Sequence, residues 1–257
     1  MVKGLSIFFM VISLILSVGF PVALTIYMYK KYKISIKAVL VGALMFFIFQ
    51  GVIRLPILSA IQLTTWYRGF ALLNPIVLMF IMALTAALFE TAGRYIGMKF
   101  ILKDVLEWKN GIAYGIGHGG IEAILLVGIS SIANIIYSAA INMGSVKPDG
   151  PLSALLTLSP DMFLASGVER FFVIIFHIAL SLILLYGIMY NKKLYILYCI
   201  GLHTLADFMI PLISMSVRNM WITESLIALV GILSFVFILK SKRIFTMPSC
   251  ENEIKKA

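Results

Sequence analysis

GVERFFVIIFHIALSLILLYGIMY, residues Gly167–Tyr190, decides the fold. At about 1.5 Å of rise per residue this run crosses the roughly 30 Å hydrocarbon core of a bilayer as a single helix. Lipid offers no partner to backbone amides, so a run this apolar must satisfy them internally, as a helix does. Yet it carries Glu169, Arg170 and His177.

Six further runs read the same way: Leu5–Tyr27, Ile36–Ile53, Phe70–Gly97, Ile112–Ile141, Leu194–Ile213 and Trp221–Leu239. Across 257 residues the chain is 61% hydrophobic and 12% charged, with a mean hydropathy of +1.05. Soluble domains carry about a quarter of their residues as charges. The expectation is an all-α polytopic membrane protein of about seven transmembrane helices in one bundle. It forms a single domain over residues 1–257, with a short cytoplasmic tail from 240 to 257. The first run is too long for a signal-peptide core and lacks a clear small-residue cleavage site, so it reads as a retained helix.

A net charge of +10 raises nucleic acid as a partner, and the placement of the charges excludes it. Lys30, Lys31, Lys33 and Lys37 fall between helices one and two, and Lys99, Lys103 and Lys109 between three and four. Lys192 and Lys193 lie between five and six, and Lys240, Lys242, Arg243, Lys255 and Lys256 in the tail. The intervening connections hold only Lys3, Arg54, Arg68, Lys147 and Arg218. Under the positive-inside rule the lysine-rich side is cytoplasmic, the N-terminus outside and the C-terminus inside. The expected location is the cytoplasmic membrane, with anionic lipid as the basic loops' partner. Cys199 and Cys250 are too far apart in this topology for a disulfide, and there is no CxxC. In the longest outer connection, Asn142–Ser166, Ser159 followed by Pro160 and Asp161 looks like the start of a short interfacial or re-entrant helix.

Ionisable residues inside a membrane cost at least ~2.5 kcal/mol each on insertion scales and mark function. This chain places Glu90 and Arg94 on helix three, His118 and Glu122 on helix four, and Glu169, Arg170 and His177 on helix five, with His203 and Asp207 on helix six. Glu90–Arg94, His118–Glu122 and His203–Asp207 are i, i+4 pairs, each on one helix face. Counted from the cytoplasmic ends, Glu90, His118, Glu122, His177, His203 and Asp207 fall in one slab, between about 10 and 22 Å deep. Arg94 and the Glu169, Arg170 pair come out nearer the two surfaces, where long side chains snorkel. Polar glue between helices explains any one of these residues. Six at one depth, on helices running in opposite directions, point instead to a shared site.

Gly111, Gly115 and Gly119 recur every four residues, a face that lets another helix approach closely. At Gly119 and Gly120, room beside His118 for water, an ion or a substrate backbone competes with ordinary close packing.

Imidazoles and carboxylates bind Zn²⁺ in catalytic sites with an open position, and also activate water without a metal. His118, Glu122, His177 and His203 are the candidate metal ligands. There is no HExxH and no GxSxG, and Ser130 or Ser131 as a nucleophile lacks an elbow.

ExxxR at Glu90–Arg94, HGGIE at His118–Glu122, ERFFVIIFH at Glu169–His177 and HTLAD at His203–Asp207 together resemble the YhfC family of intramembrane peptidases. That family is grouped with the CAAX-prenyl protease and bacteriocin-processing family, the PrsW proteases and the non-catalytic multipass subunit of gamma-secretase. CAAX-type members carry a double glutamate where Phe89 and Glu90 stand here, and a histidine where Glu122 stands. HxxxD is matched by His203 and Asp207. The resemblance implies peptide-bond hydrolysis on a membrane-protein or peptide substrate. Glu90 and Glu122 would activate water, alone or on a divalent ion, with His118 and His177 as base partners or ligands. His203 with Asp207 would stabilise the oxyanion, and Arg94 would hold Glu90. Two other classes compete: a non-catalytic scaffold that binds partner helices, and a cation- or proton-coupled transporter. Matching Gly/Pro-broken helices in two halves, the pointer to inverted-repeat carriers, are missing from the sequence.

Overall fold

The computed structural model describes residues 1–246, and Cys250, Lys255 and Lys256 of the expected tail lie outside the described residues. Among the described residues there is no strand, and seven helices are long and apolar enough to span a membrane. They are Gly4–Tyr32, Ile36–Gln62, Pro75–Ile101, Trp108–Asn142, Pro160–Met189, Leu194–Val217 and Met220–Phe245. This is an integral membrane protein of the all-α class. The fifth span is buried over more of its length than any other and forms the axis of the bundle.

Three boundaries differ from expectation, each for a local reason. The third helix does not run on from Phe70. Asn74 leaves helical geometry at φ −134°, ψ 55°, splitting a short surface helix, Thr65–Leu73, from the span that starts at Pro75. A proline at the first helical position needs no N–H partner, and the residue before it is pushed out of the α region. The same device starts the fifth span at Pro160, after the extended Ser159. The helix start read at Ser159 is therefore the fifth span's own, and the outer connection keeps only short turns at Gly150–Ser153 and Ala154–Thr157. The second helix continues past Ile53 to Gln62 in spite of Pro56. A π-helical stretch, Phe47–Arg54, precedes the proline, and such wide turns relax the hydrogen-bond ladder where a ring would otherwise break it. Arg54, expected in a connection, thereby becomes an intramembrane residue.

The fourth span lies between the second and the fifth and packs extensively on both. Glycine makes this sandwich thin enough. A Cβ at Gly117 would stand 1.9 Å from the carbonyl oxygen of Val39, and one at Gly115 would stand 2.5 Å from Cα of Ile178. Both obstacles are backbone, which cannot rotate away. Gly117→Ala is expected to cost about 1–3 kcal/mol by overpacking. Gly201→Ala, whose Cβ meets nothing within 4 Å, is the matched control. Thermal unfolding in detergent should show a lowered midpoint for the first variant and none for the second.

Candidate functional site

The site is built around one oxygen. Glu90 leaves the third span 3% exposed, and its Oε2 lies 3.2 Å from Arg94 Nη2, 2.9 Å from His118 Nε2, 3.8 Å from His203 Nε2 and 3.9 Å from His177 Nδ1. The third, fourth, fifth and sixth spans thus each deliver a polar group to the same point, and all three histidines of the chain are there. The other oxygen, Oε1, accepts a hydrogen bond of 2.7 Å from Gln50 Nε2 of the second span.

Arg94 does not snorkel. It is fully buried behind Glu90 and also donates to His177 Nδ1 at 2.5 Å. Because a guanidinium has no acceptor, that nitrogen of His177 must carry the lone pair, leaving its proton on Nε2. Nε2 lies 2.7 Å from Glu122 Oε2, close enough for a charge contact but off the line of a good hydrogen bond, since Oε2 has no well-aligned donor. His118 donates through Nε2 to Glu90, so its buried Nδ1 is left without a partner, as is Nδ1 of His203. Asp207 sits 3.3 Å from His203 Nε2 and reaches toward solvent more than any other member.

Glu169 and Arg170 are more than an interfacial anchor. Arg170 pairs with the neighbouring Glu169 and, through Nη1 at 2.9 Å, with Glu122 across the helix interface. Of the two readings of Gly119 and Gly120, close packing is the one the structure supports. A Cβ at Gly120 would meet Pro21 at 2.9 Å, and one at Gly119 would meet Ile174 and His177 at 3.0 and 3.1 Å. These two glycines seat neighbouring helices against His118 rather than leaving space beside it.

Gln50 and Arg54 escaped the sequence reading although they repeat the i, i+4 spacing of the other pairs. Arg54 Nη1 donates to Gln50 Oε1 at 3.1 Å, which forces the amide nitrogen of Gln50 toward Glu90. The remaining guanidinium donors go to Thr85 Oγ1 and the carbonyl of Met82.

A cavity of about 530 Å³ opens onto this cluster. Glu90, Glu122, His177, His203 and Asp207 line it, whereas Arg94 and His118 lie behind its wall. From Glu90 the lining residues continue toward the lysine-poor ends of the helices, to Leu55, Met79, Glu169 and Pro211. Most of the wall is apolar.

The profile of the YhfC intramembrane metalloprotease family matches residues 12–236. The chain belongs to this family. A curated relative, the Uncharacterized membrane protein YhfC of Bacillus subtilis (strain 168), is 33% identical over 263 residues, covering 95% of this chain and 100% of the relative. No solved structure matches.

The family description implies a metal ion, and the donor chemistry suits one. Ligand atoms of Glu90, His118 and His177, all buried, lie within 4.8 Å of one another. Two imidazoles and a carboxylate are the donor set of catalytic zinc sites that keep a position open. Of the four ligands read from the sequence, His118 and His177 belong to this group. Glu90 joins them where Glu122 and His203 were expected.

Proposed function

We propose that the protein hydrolyses a peptide bond within or beside the membrane. The observation that carries this reading is the convergence of three histidines and an arginine on Glu90 at the inner end of a largely apolar cavity. A cavity of this size, apolar with a few convergent polar groups, is the usual form of a site for a small or extended ligand. Glu122 borders the same space and takes the proton of the attacking water. The water oxygen adds to the carbonyl carbon, the C–N bond breaks, and the proton passes to the leaving amine. His203, oriented by Asp207, faces the developing oxyanion. Arg94 holds Glu90 and fixes the tautomer of His177. Glu90, His118 and His177 would hold a divalent ion, Zn²⁺ by donor type, once Arg94 releases the lone pair of His177 Nδ1 and His118 carries its proton on Nδ1 instead of Nε2; the ion would supply Lewis acidity toward the scissile carbonyl.

The lysine pattern supports an external N-terminus and a cytoplasmic C-terminus. In that orientation the cavity opens toward the outer side, and substrate enters from there.

Proteoliposomes digesting membrane-peptide mixtures in heavy-oxygen water are expected to generate new C-termini carrying the label. Absence of label from wild-type digests would sink the peptidase reading. Elemental mass spectrometry of the purified protein should find about one divalent ion per chain, lost in His118→Ala and in His177→Ala. A folded, metal-free wild type would remove the ion and leave water activation to Glu122.

A scaffold role has one observation in its favour: both oxygens of Glu90 are already occupied by protein donors, as in a locked structural hub. Under that reading, substitutions in the cluster lower assembly with a partner and no hydrolysis is seen.

A further inference from the structure

We propose that Arg54 is the anchor for a carboxylate of the peptide substrate, an inference that rests on the peptidase reading above. Three arginines lie within the spans at or beside the cavity, and two have carboxylate partners: Arg94 with Glu90, and Arg170 with Glu122 and Glu169. Arg54 differs. Among the described residues no carboxylate comes within ion-pair distance, and its donors meet only neutral acceptors on Gln50, Thr85 and Met82.

Arg54 is 9% exposed, and what it exposes lines the cavity. Guanidinium does not discharge at physiological pH, so this is a permanent cation in an apolar wall. A charge held in such a place without an anion is costly, and intramembrane cations occur mainly where a partner or water-filled space compensates them. Glu90 and Asp207 border the same cavity and attract Arg54 through space, but neither forms an ion pair with it. A direct anionic partner, which the described residues do not supply, is sought in the ligand. Four of the five N–H groups of Arg54 are taken by these neutral acceptors, which fix its orientation without neutralising it, and the remaining Nη1 hydrogen is left to make one charge-assisted hydrogen bond to a carboxylate.

Position adds a measure. Arg54 lies on the lysine-poor side of Gln50, and Gln50 alone separates it from Glu90. Two hydrogen bonds and one amide correspond roughly to two extended residues of about 3.3 Å each. The carboxylate then lies about two residues from the bond that is cut. A free C-terminus or an acidic side chain at that distance supplies the same chemistry.

The test is calorimetric titration of the detergent-purified full chain with three probes: N-acetyl-Leu-Leu-Phe as free acid, its C-terminal amide, and N-acetyl-Leu-Glu-Phe amide. Wild type is expected to bind the acid ~10-fold or more tightly than the plain amide, the size of a buried charge-assisted contact. In Arg54→Gln that ratio should fall to about one, the acid losing more affinity than the amide. The glutamate peptide assigns the source: tight binding there points to an acidic side chain, weak binding to the terminal carboxylate. Equal affinities for all three in wild type, a preference that survives in Arg54→Gln, or no binding by any probe would overturn the proposal. So would an equal loss of all three affinities in the variant, the mark of a purely structural arginine. If Arg54→Gln does not fold, the double variant Arg54→Met, Gln50→Leu replaces both polar groups by apolar ones and must show the same loss of preference. Binding is read without turnover, so an Arg54-dependent preference with no hydrolysis upholds the anchor and sinks the peptidase. Hydrolysis with no preference does the reverse.

Discussion

Glu90→Gln is expected to lose both hydrolysis and much of the bundle's stability. Every group that reaches this carboxylate is a donor: Gln50 Nε2, Arg94 Nη2 and His118 Nε2. A glutamine brings one acceptor and an amide group with two hydrogens of its own, so whichever way it turns, donors face donors. Arg94, fully buried, is left without its counter-charge, and breaking one side of a buried ion pair costs about 3–5 kcal/mol. Turnover should fall by ~10² or more, the size of the loss from misplaced catalytic groups, because Glu90 positions the site and would hold the ion. The double variant Glu90→Gln, Arg94→Met separates the two effects. Removing both charges is expected to return most of the lost stability, because an apolar replacement of a buried pair is often neutral. It should return no activity. Thermal unfolding in detergent and hydrolysis rates on the same preparations decide it, and a single variant that melts like wild type would contradict the hub geometry.

The seven spans were legible because lipid imposes a length and a composition on each helix that no soluble context does. Their polar members were legible because i, i+4 spacing survives any packing arrangement. That His118, His177, His203 and Glu90 meet at one oxygen agrees with their common depth. What the depth could not supply is the partner of each group. Arg170 pairs with Glu122 from 48 residues away, and nothing local in either helix encodes that contact. Arg94 was placed near a surface by counting along the helix axis. Its side chain turns back toward Glu90, one turn earlier in the span, and axial counting is blind to that direction.

Arg54 was hidden by a boundary, the end of the expected second helix at Ile53, whereas Gln50 falls inside that helix and carries no charge to single it out. Pro56 following Arg54 and Leu55 reads as the end of a helix, and in water it generally would be. In the bilayer an unfinished backbone has no solvent to turn to, so the second span passes through the proline by way of its π-helical stretch. At Pro75 and Pro160 the proline stands at the start of its span, where its missing N–H costs no bond. Position in the span, interior or first turn, separates the two outcomes.

Glu122→Gln is the variant that distinguishes a base from a positioning group. Glu122 accepts from Arg170 through Oε1 and faces the proton on His177 Nε2 through Oε2. A glutamine can keep its oxygen toward only one of them. With oxygen toward Arg170, its amide hydrogens confront the Nε2 proton, driving that proton to Nδ1, where Arg94 already donates at 2.5 Å. With oxygen toward His177, the amide hydrogens confront Arg170. Either arrangement leaves two donors opposed, and hydrolysis is expected to fall by ~10³. Adding Arg170→Leu removes the second conflict and lets the glutamine point its oxygen at His177, restoring the wild-type tautomer. If Glu122 only held that tautomer, the double variant would regain hydrolysis well above the single one. A side chain that must itself accept the proton of water cannot be replaced by an amide in any orientation. The expected result is therefore a double variant as inactive as Glu122→Gln, and recovery of hydrolysis would reduce Glu122 to a positioning group for His177.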